Sequence, residues 1–231
     1  MKKRIIVALD TDSPESAMAT VASLSGEVGL FKVGMELFPR GGPELVGRIR
    51  GAGADVFLDL KFHDIPNTVA GAVRSAAALG VKLATVHASG GKAMLSAAAG
   101  AAAGTGTTIL AVTVLTSLDD ADLSSIGFSL PTEKAVERLA GIAVDAGIGG
   151  IVCSAKEVAA IRRMVGKNVV LVTPGVRLPE DSAGDQKRVV TPSEAIRAGA
   201  DYIVVGRPIT RAADPVAAAR KFAADMARAI K

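Results

Sequence analysis

Residues 56–86 read VFLDLKFHDIPNTVAGAVRSAAALGVKLATV, and this stretch decides the architecture. Val56–Leu60 is a short apolar run of strand type. Pro66–Leu79 is an Ala-rich helical segment, opened by a proline whose missing N–H costs little at a helix start and followed by Gly80. Leu83–Val86 is a second strand-like run. A strand, a helix and a strand in so short a span form a βαβ unit, the building block of parallel sheets.

Outward from this unit the same alternation fills the chain. Six further strand-like runs lie at Ile5–Leu9, Leu30–Val33, Ile109–Leu115, Gly150–Cys153, Val169–Val172 and Tyr202–Val205. Helical segments lie at Pro14–Leu24, Pro43–Arg50, Lys92–Ala103, Pro131–Ala146, Ala155–Val165, Pro192–Ala198 and Pro215–Ile230. Pro14, Pro131, Pro192 and Pro215 mark helix starts as Pro66 does, and Gly147 and Gly199 follow helix ends as Gly80 does. Eight βα units predict an α/β fold, a (β/α)8 TIM barrel, as one domain over residues 1–231. No linker, charge block or low-complexity tail offers a second domain a place to begin.

Composition excludes several classes. With 49% hydrophobic and 22% charged residues, disorder, collagen and a disulfide scaffold are ruled out. The single cysteine, Cys153, sits in an apolar run and reads as a buried thiol, which fits a reducing, cytoplasmic setting. The basic start Met1–Arg4 and the run Ile5–Leu9 are cut short by Asp10 and Asp12, below signal-peptide length. Ala93–Leu118 carries no charge, but its Ala, Gly and Thr content reads as a buried helix, a turn and a core strand, not as a membrane span. The net charge of +4 suggests an anionic partner; with six Phe, one Tyr and no Trp, stacking platforms for nucleic acid are scarce. A small phosphorylated substrate is the simpler expectation.

In this fold catalysis occupies the face where strands end. With Leu58 and Leu60 packed outward, strand alternation turns Asp59 and Lys61 into the barrel. Asp10 ends the first strand. Lys32 lies in the apolar run Gly29–Gly34 and needs an acidic neighbour, for which Asp59 is placed. Asp10, Lys32, Asp59 and Lys61, with Asp64 just beyond, therefore predict an array of alternating charge around one pocket. Two connections, Thr116–Leu130 and Pro174–Val190, exceed the usual length and are candidate lids. After the last strand, Gly206 permits close backbone approach, and Arg207 opens a short helix suited to a phosphate; Gln186 and, less directly, Arg177 on the second long connection add donors.

The run Asp59-Leu60-Lys61-Phe62-His63-Asp64-Ile65-Pro66-Asn67-Thr68 closely resembles the signature of the orotidine 5′-phosphate decarboxylase family. It is accompanied in order by Ala8-Leu9-Asp10, Phe31-Lys32-Val33-Gly34, Leu115-Thr116-Ser117, Thr173-Pro174-Gly175-Val176-Arg177, Gly184-Asp185-Gln186 and Val205-Gly206-Arg207-Pro208. The resemblance implies decarboxylation of orotidine 5′-monophosphate to uridine 5′-monophosphate by a homodimer with shared active sites, with no metal and no organic cofactor. By position it implies that Lys61 donates a proton to pyrimidine C6 and Asp59 faces the departing carboxylate. Lys32 then holds Asp59 and a ribose hydroxyl, and Asp10 binds ribose. Asp64 and Thr68 reach the partner's site, Ser117 reads the pyrimidine amide beside Thr116 and Pro174, and Gln186, Arg207 and Gly206 grip phosphate.

Two rivals remain at this level. A magnesium-dependent 3-keto-gulonate 6-phosphate decarboxylase shares Asp-x-Lys-x-x-Asp, but Lys32 and the full run Phe62–Thr68 favour orotidylate. A noncatalytic nucleotide-binding barrel has no evident need for Lys61 among acidic neighbours. His63 and His87, the only histidines, read as hydrogen-bonding residues of the strand-end framework before they read as metal ligands.

Overall fold

The computed structural model describes residues 1–179 and 190–229. Eight parallel strands close into a barrel in sequence order: β1 (Ile5–Ala8), β2 (Leu30–Gly34), β3 (Asp55–Phe62), β4 (Leu83–His87), β5 (Thr108–Val112), β6 (Gly150–Val152), β7 (Val170–Thr173) and β8 (Tyr202–Val205). The helices around it are α1 (Pro14–Leu24), α2 (Phe38–Gly51), α3 (Pro66–Ala78), α4 (Gly91–Ala102), α5 (Asp120–Ser125), α6 (Thr132–Asp145), α7 (Val158–Val165), α8 (Pro192–Ala198), α9 (Arg207–Thr210) and α10 (Pro215–Ala227). The expected (β/α)8 barrel is the observed fold. Ala93–Leu118 resolves into the rest of α4, a turn and β5 with the start of the loop after it, and no described helix is long and apolar enough to cross a membrane.

Local chemistry explains the helix bounds. Ser13 caps α1 by accepting the Ser16 N–H at 3.1 Å, Pro14 takes the first position, and Ala17, Val21 and Leu24 recur at helical spacing on the buried face. At α8, Thr191 and Glu194 form a reciprocal capping box, and Gly199 ends the helix in the left-handed region at φ 110°. Asp214 caps α10 through the Ala217 N–H at 2.9 Å, and the helix buries Ala219, Phe222 and Met226. Burying a side chain such as Phe222 contributes about 1.5–3 kcal/mol.

Strand alternation divides the apolar residues into two layers. Ile6, Ala8, Leu30, Phe57, Leu83, Leu110, Val172 and Val204 fill the barrel interior, while their alternates pack outward against the helices. Gly150 is required here: a Cβ would stand 2.3 Å from Leu110 Cδ2 and 2.8 Å from the Val170 carbonyl oxygen. The interior is thus filled up to the level where the charged residues begin.

Most bounds differ from the sequence reading by one to three residues, and four differences have a local cause. β3 runs on to Phe62 because its ladder with β4 shifts register, Leu58 pairing with Ala84 but Phe62 with Val86. β5 stops at Val112, where the Thr113 N–H and hydroxyl both turn to the Val152 carbonyl at 3.3 and 3.1 Å. α2 starts at Phe38, with a break at Gly42 (φ 54°) just before Pro43, the expected start. Within the long connection after β5, Asp119 and Asp122 build a capping box that nucleates α5.

Candidate active site

The inner faces of β1, β2 and β3 converge at their carboxyl ends. Lys32 Nζ lies 3.1 Å from Asp10 Oδ1 and 3.7 Å from Asp59 Oδ2; Asp59 Oδ1 in turn receives Lys61 Nζ at 2.9 Å. Asp10, Lys32, Asp59 and Lys61 therefore form one chain of alternating charge. Asp59 is a neighbour of Lys32 as expected, although Asp10 is the closer one. The side chains of Lys32, Asp59 and Lys61 are only 13, 12 and 21% exposed, so their pairing is what makes burial tolerable.

Lys61 reaches this position through an unusual backbone. At φ 52° it is the one non-glycine in the left-handed region among the described residues. Such a conformation costs on the order of 1 kcal/mol or more and persists only where surrounding contacts impose it. The Lys61 N–H donates to Thr85 Oγ1 at 2.9 Å, and the same hydroxyl donates to Asp59 Oδ1 at 3.0 Å. Thr85 is fully buried on β4.

A cavity of about 320 Å³ opens over this array, lined on one side by Lys32, Asp59 and Lys61 from β2 and β3. Across the barrel its wall is apolar, from Val112, Val114, Leu115, Val152, Cys153 and Val204, with Phe57 in the lining as well. Thr116, Ser117 and Pro174 complete it. Cys153 is buried as expected, with the added property of lining this cavity. An apolar wall facing fixed charges suits a flat ring bearing one ionic group, since the low dielectric magnifies the interaction at that group.

Asp64 and Thr68 stand apart from the array. Both are exposed, Asp64 accepting the Ile65 N–H at 2.6 Å and Thr68 lying in the first turn of α3; among the described residues Asp64 forms no ion pair. Beside them Ile65 and Met35, at neighbouring strand ends, are 67 and 59% exposed. At the other expected end, Gly206 precedes α9, where a Cβ would stand 3.5 Å from Asp10 Oδ2, and Arg207 is exposed. Arg177 is buried, its guanidinium donates to the Val176 carbonyl at 2.9 Å, and it is not among the residues that line the cavity. Gln186, with Gly184 and Asp185, lies outside the described residues.

His63 and His87 face one another with ring centroids 5.5 Å apart. Burial holds His87 below the ordinary imidazole value; the nearby His63 and Lys61 add to this and Asp59 opposes it. Among the described residues, no three His, Cys, Asp or Glu side chains gather as a metal site. The sequence reading missed Thr85 and the apolar wall. Alternation on β4, β5, β6 and β8 was the available signal for both.

The model of a family described as "Orotidine 5′-phosphate decarboxylase / HUMPS family" matches residues 3–222. A protein of Anaeromyxobacter sp. (strain K) named orotidine 5′-phosphate decarboxylase is 56% identical over 97% of this chain and 98% of its own. One of the same name from Halorhodospira halophila is 54% identical over 98 and 97%. The crystal structure of orotidine 5′-phosphate decarboxylase from Lactobacillus acidophilus superposes with a TM-score of 0.85 at 38% identity, covering 96% of this chain and 97% of that one.

Proposed function

The chain belongs to the orotidine 5′-phosphate decarboxylase / HUMPS family, and we propose that it performs its decarboxylation with Lys61 and Asp59, without metal or organic cofactor. The activity is that of a carboxy-lyase, orotidine 5′-phosphate decarboxylase, which forms uridine 5′-monophosphate in pyrimidine synthesis. The observation that carries the mechanistic part is the alternating chain Asp10, Lys32, Asp59, Lys61 on one wall of the cavity.

Breaking the bond from C6 to the carboxylate leaves an electron pair in the ring plane, where the π-system does not delocalise it. Lys61 supplies a fixed positive charge at that carbon and then its proton, becoming a neutral amine that solvent reprotonates. Asp59, held between two ammonium groups, keeps Lys61 in place and adds repulsion against the substrate carboxylate, a lesser contribution. Lys32 and Asp10 take the ribose hydroxyls. Ser117, with Thr116 and Pro174, reads the pyrimidine edge from the rim, and Gly206, Arg207 and Gln186 hold the phosphate, whose binding energy helps organise the site.

The assembly is a homodimer in which Asp64 and Thr68 complete a neighbour's site. Their exposure, and that of the large apolar Ile65 and Met35 beside them, supports a face that a second copy covers. A buried lone thiol and a nucleotide product suit the cytoplasm.

Loss of orotidine 5′-monophosphate absorbance in buffer containing EDTA tests this reading. Turnover unaffected by the chelator is expected. No turnover, or turnover that EDTA abolishes and magnesium restores, overturns it, the latter in favour of a metal-dependent phosphosugar decarboxylase.

A further inference from the structure

We propose that Thr85 is a positioning residue whose single hydroxyl sets both the carboxylate of Asp59 and the backbone of Lys61. The inference rests on the decarboxylase reading of this site and explains how the array is held to its geometry. Between the pairs Leu58 with Ala84 and Phe62 with Val86, β3 advances four residues while β4 advances two. The ladder is interrupted there, opposite Thr85, and no ladder pair includes Lys61, whose N–H turns to a side chain. A buried N–H in that condition needs a side-chain partner.

Thr85 Oγ1 supplies it at 2.9 Å and donates its own hydrogen to Asp59 Oδ1 at 3.0 Å. The hydroxyl has one hydrogen to give, an ionised carboxylate only accepts and an amide N–H only donates, so the direction of both bonds is fixed. Because Asp59 Oδ1 also receives Lys61 Nζ at 2.9 Å, the contacts close a ring: hydroxyl to carboxylate, carboxylate to ammonium, and along Lys61 back to its own N–H at the hydroxyl. Thr85 is 0% exposed, and its β-branch restricts χ1, which removes alternative rotamers for the oxygen. The left-handed φ of 52° at Lys61 is thus tied to the orientation of the carboxylate that holds its ammonium. Thr85 does not line the cavity, and its effect reaches the reacting atoms only through Asp59 and Lys61.

The test compares wild type with Thr85→Val, which keeps the shape and removes the hydroxyl, and Thr85→Ser, which keeps the hydroxyl. Three measurements are made: decarboxylation kinetics, thermal melting, and amide hydrogen exchange at Lys61 by NMR without substrate. For folded Thr85→Val, kcat should fall about 10- to 100-fold with KM changed less than about threefold. Exchange at the Lys61 amide should accelerate at least about tenfold, and Thr85→Ser should restore both. If Thr85→Val does not fold, Thr85→Ala is read by the same measurements. Unchanged exchange and kcat in the hydroxyl-free variant, a loss confined to KM, or a serine variant that folds yet is no better than valine overturns the proposal. A wild-type chain that exchanges slowly at Lys61 but turns nothing over would instead remove the decarboxylase reading, leaving the exchange comparison to decide whether Thr85 holds Lys61.

Discussion

At the rim where the strands begin, Arg162 uses all five of its N–H donors: two on the Gly199 carbonyl at 3.1 and 2.9 Å, one each on Gly166 and Val169 at 2.5 and 2.8 Å, and one on Asp201 Oδ2 at 2.6 Å. That Asp201 oxygen also takes the Leu171 N–H at 2.8 Å, and Arg4 joins the same corner through the Asp201 and Ala200 carbonyls. At the opposite rim the ammonium groups of Lys32 and Lys61 bond only to carboxylates among the described residues, and both residues line a cavity. Cationic side chains are spread over backbone carbonyls where they close the barrel and set against carboxylates where they line the cavity. A cation whose donors are used up is structural; one with donors left over and a void beside it is poised for chemistry.

Substitutions at both rims put this contrast at risk. The largest effect is expected for Lys61→Ala, which should lower kcat by roughly 10³-fold or more while the protein melts normally and still binds uridine monophosphate, as calorimetry can verify. Near-normal turnover would end its role as proton donor. Next comes mixing, which tests the proposed homodimer: with shared sites, Asp64→Ala and Lys61→Ala, each nearly inactive alone, should on re-equilibration recover about a quarter of wild-type activity, since half the dimers would be mixed and each would carry one intact site. Mixtures that stay inactive would confine Asp64 to its own subunit. Arg207→Ala should weaken the phosphorylated substrate by about 10- to 100-fold, leaving the slow reaction of a phosphate-free substrate unchanged. Equal losses on both would separate Arg207 from phosphate.

At the other rim, Arg162→Ala should cost on the order of 2–4 kcal/mol in denaturant unfolding and leave kcat intact below the melting transition. An active-site defect in a stable variant would break the division between the rims. The smallest effect concerns His87. Its folded value lies below the ordinary 6.5, so the unfolded chain takes up a proton first. The stabilisation is therefore complete above that value and is lost as pH falls from about 6.5 through the lower folded value. Melting temperature should drop less between pH 7 and pH 5 in His87→Gln than in wild type; parallel curves would show that His87 does not contribute.

Much of the fold is legible in the sequence. α1, α8 and β8 match to the residue, because Ser13-Pro14 and Thr191-Pro192 are strong starts, Gly199 is a strong stop, and Tyr202–Val205 is bounded by polar residues and glycine. The charged array was legible for a similar reason: lysine and aspartate at inward positions of apolar strands admit few explanations. What escaped notice depends on relations between strands. Nothing in Asp59-Leu60-Lys61 announces a left-handed lysine, since no glycine or asparagine marks it. Thr85, in Leu83-Ala84-Thr85-Val86, looks like any strand threonine until β3 is placed beside it. The α5 helix was a different miss, for Asp119 and Asp122 spell a capping box that the length of the connection obscured.

The alternating chain has a further consequence for substrate capture. Two aspartates and two lysines sum to zero, so beyond about 8 Å, the screening distance at physiological salt, the array presents almost no field to an approaching anion. Its strength is short-ranged and is felt only by a molecule already seated. Attraction from a distance must come from the remaining surface, where the chain's net charge of +4 resides. Added salt should therefore slow encounter, lowering kcat/KM, while the seated reaction proceeds at an unchanged rate. Recruitment and bond breaking are electrostatically decoupled, so surface charge can drift to suit the ionic conditions of the cell without disturbing the four groups at the strand ends.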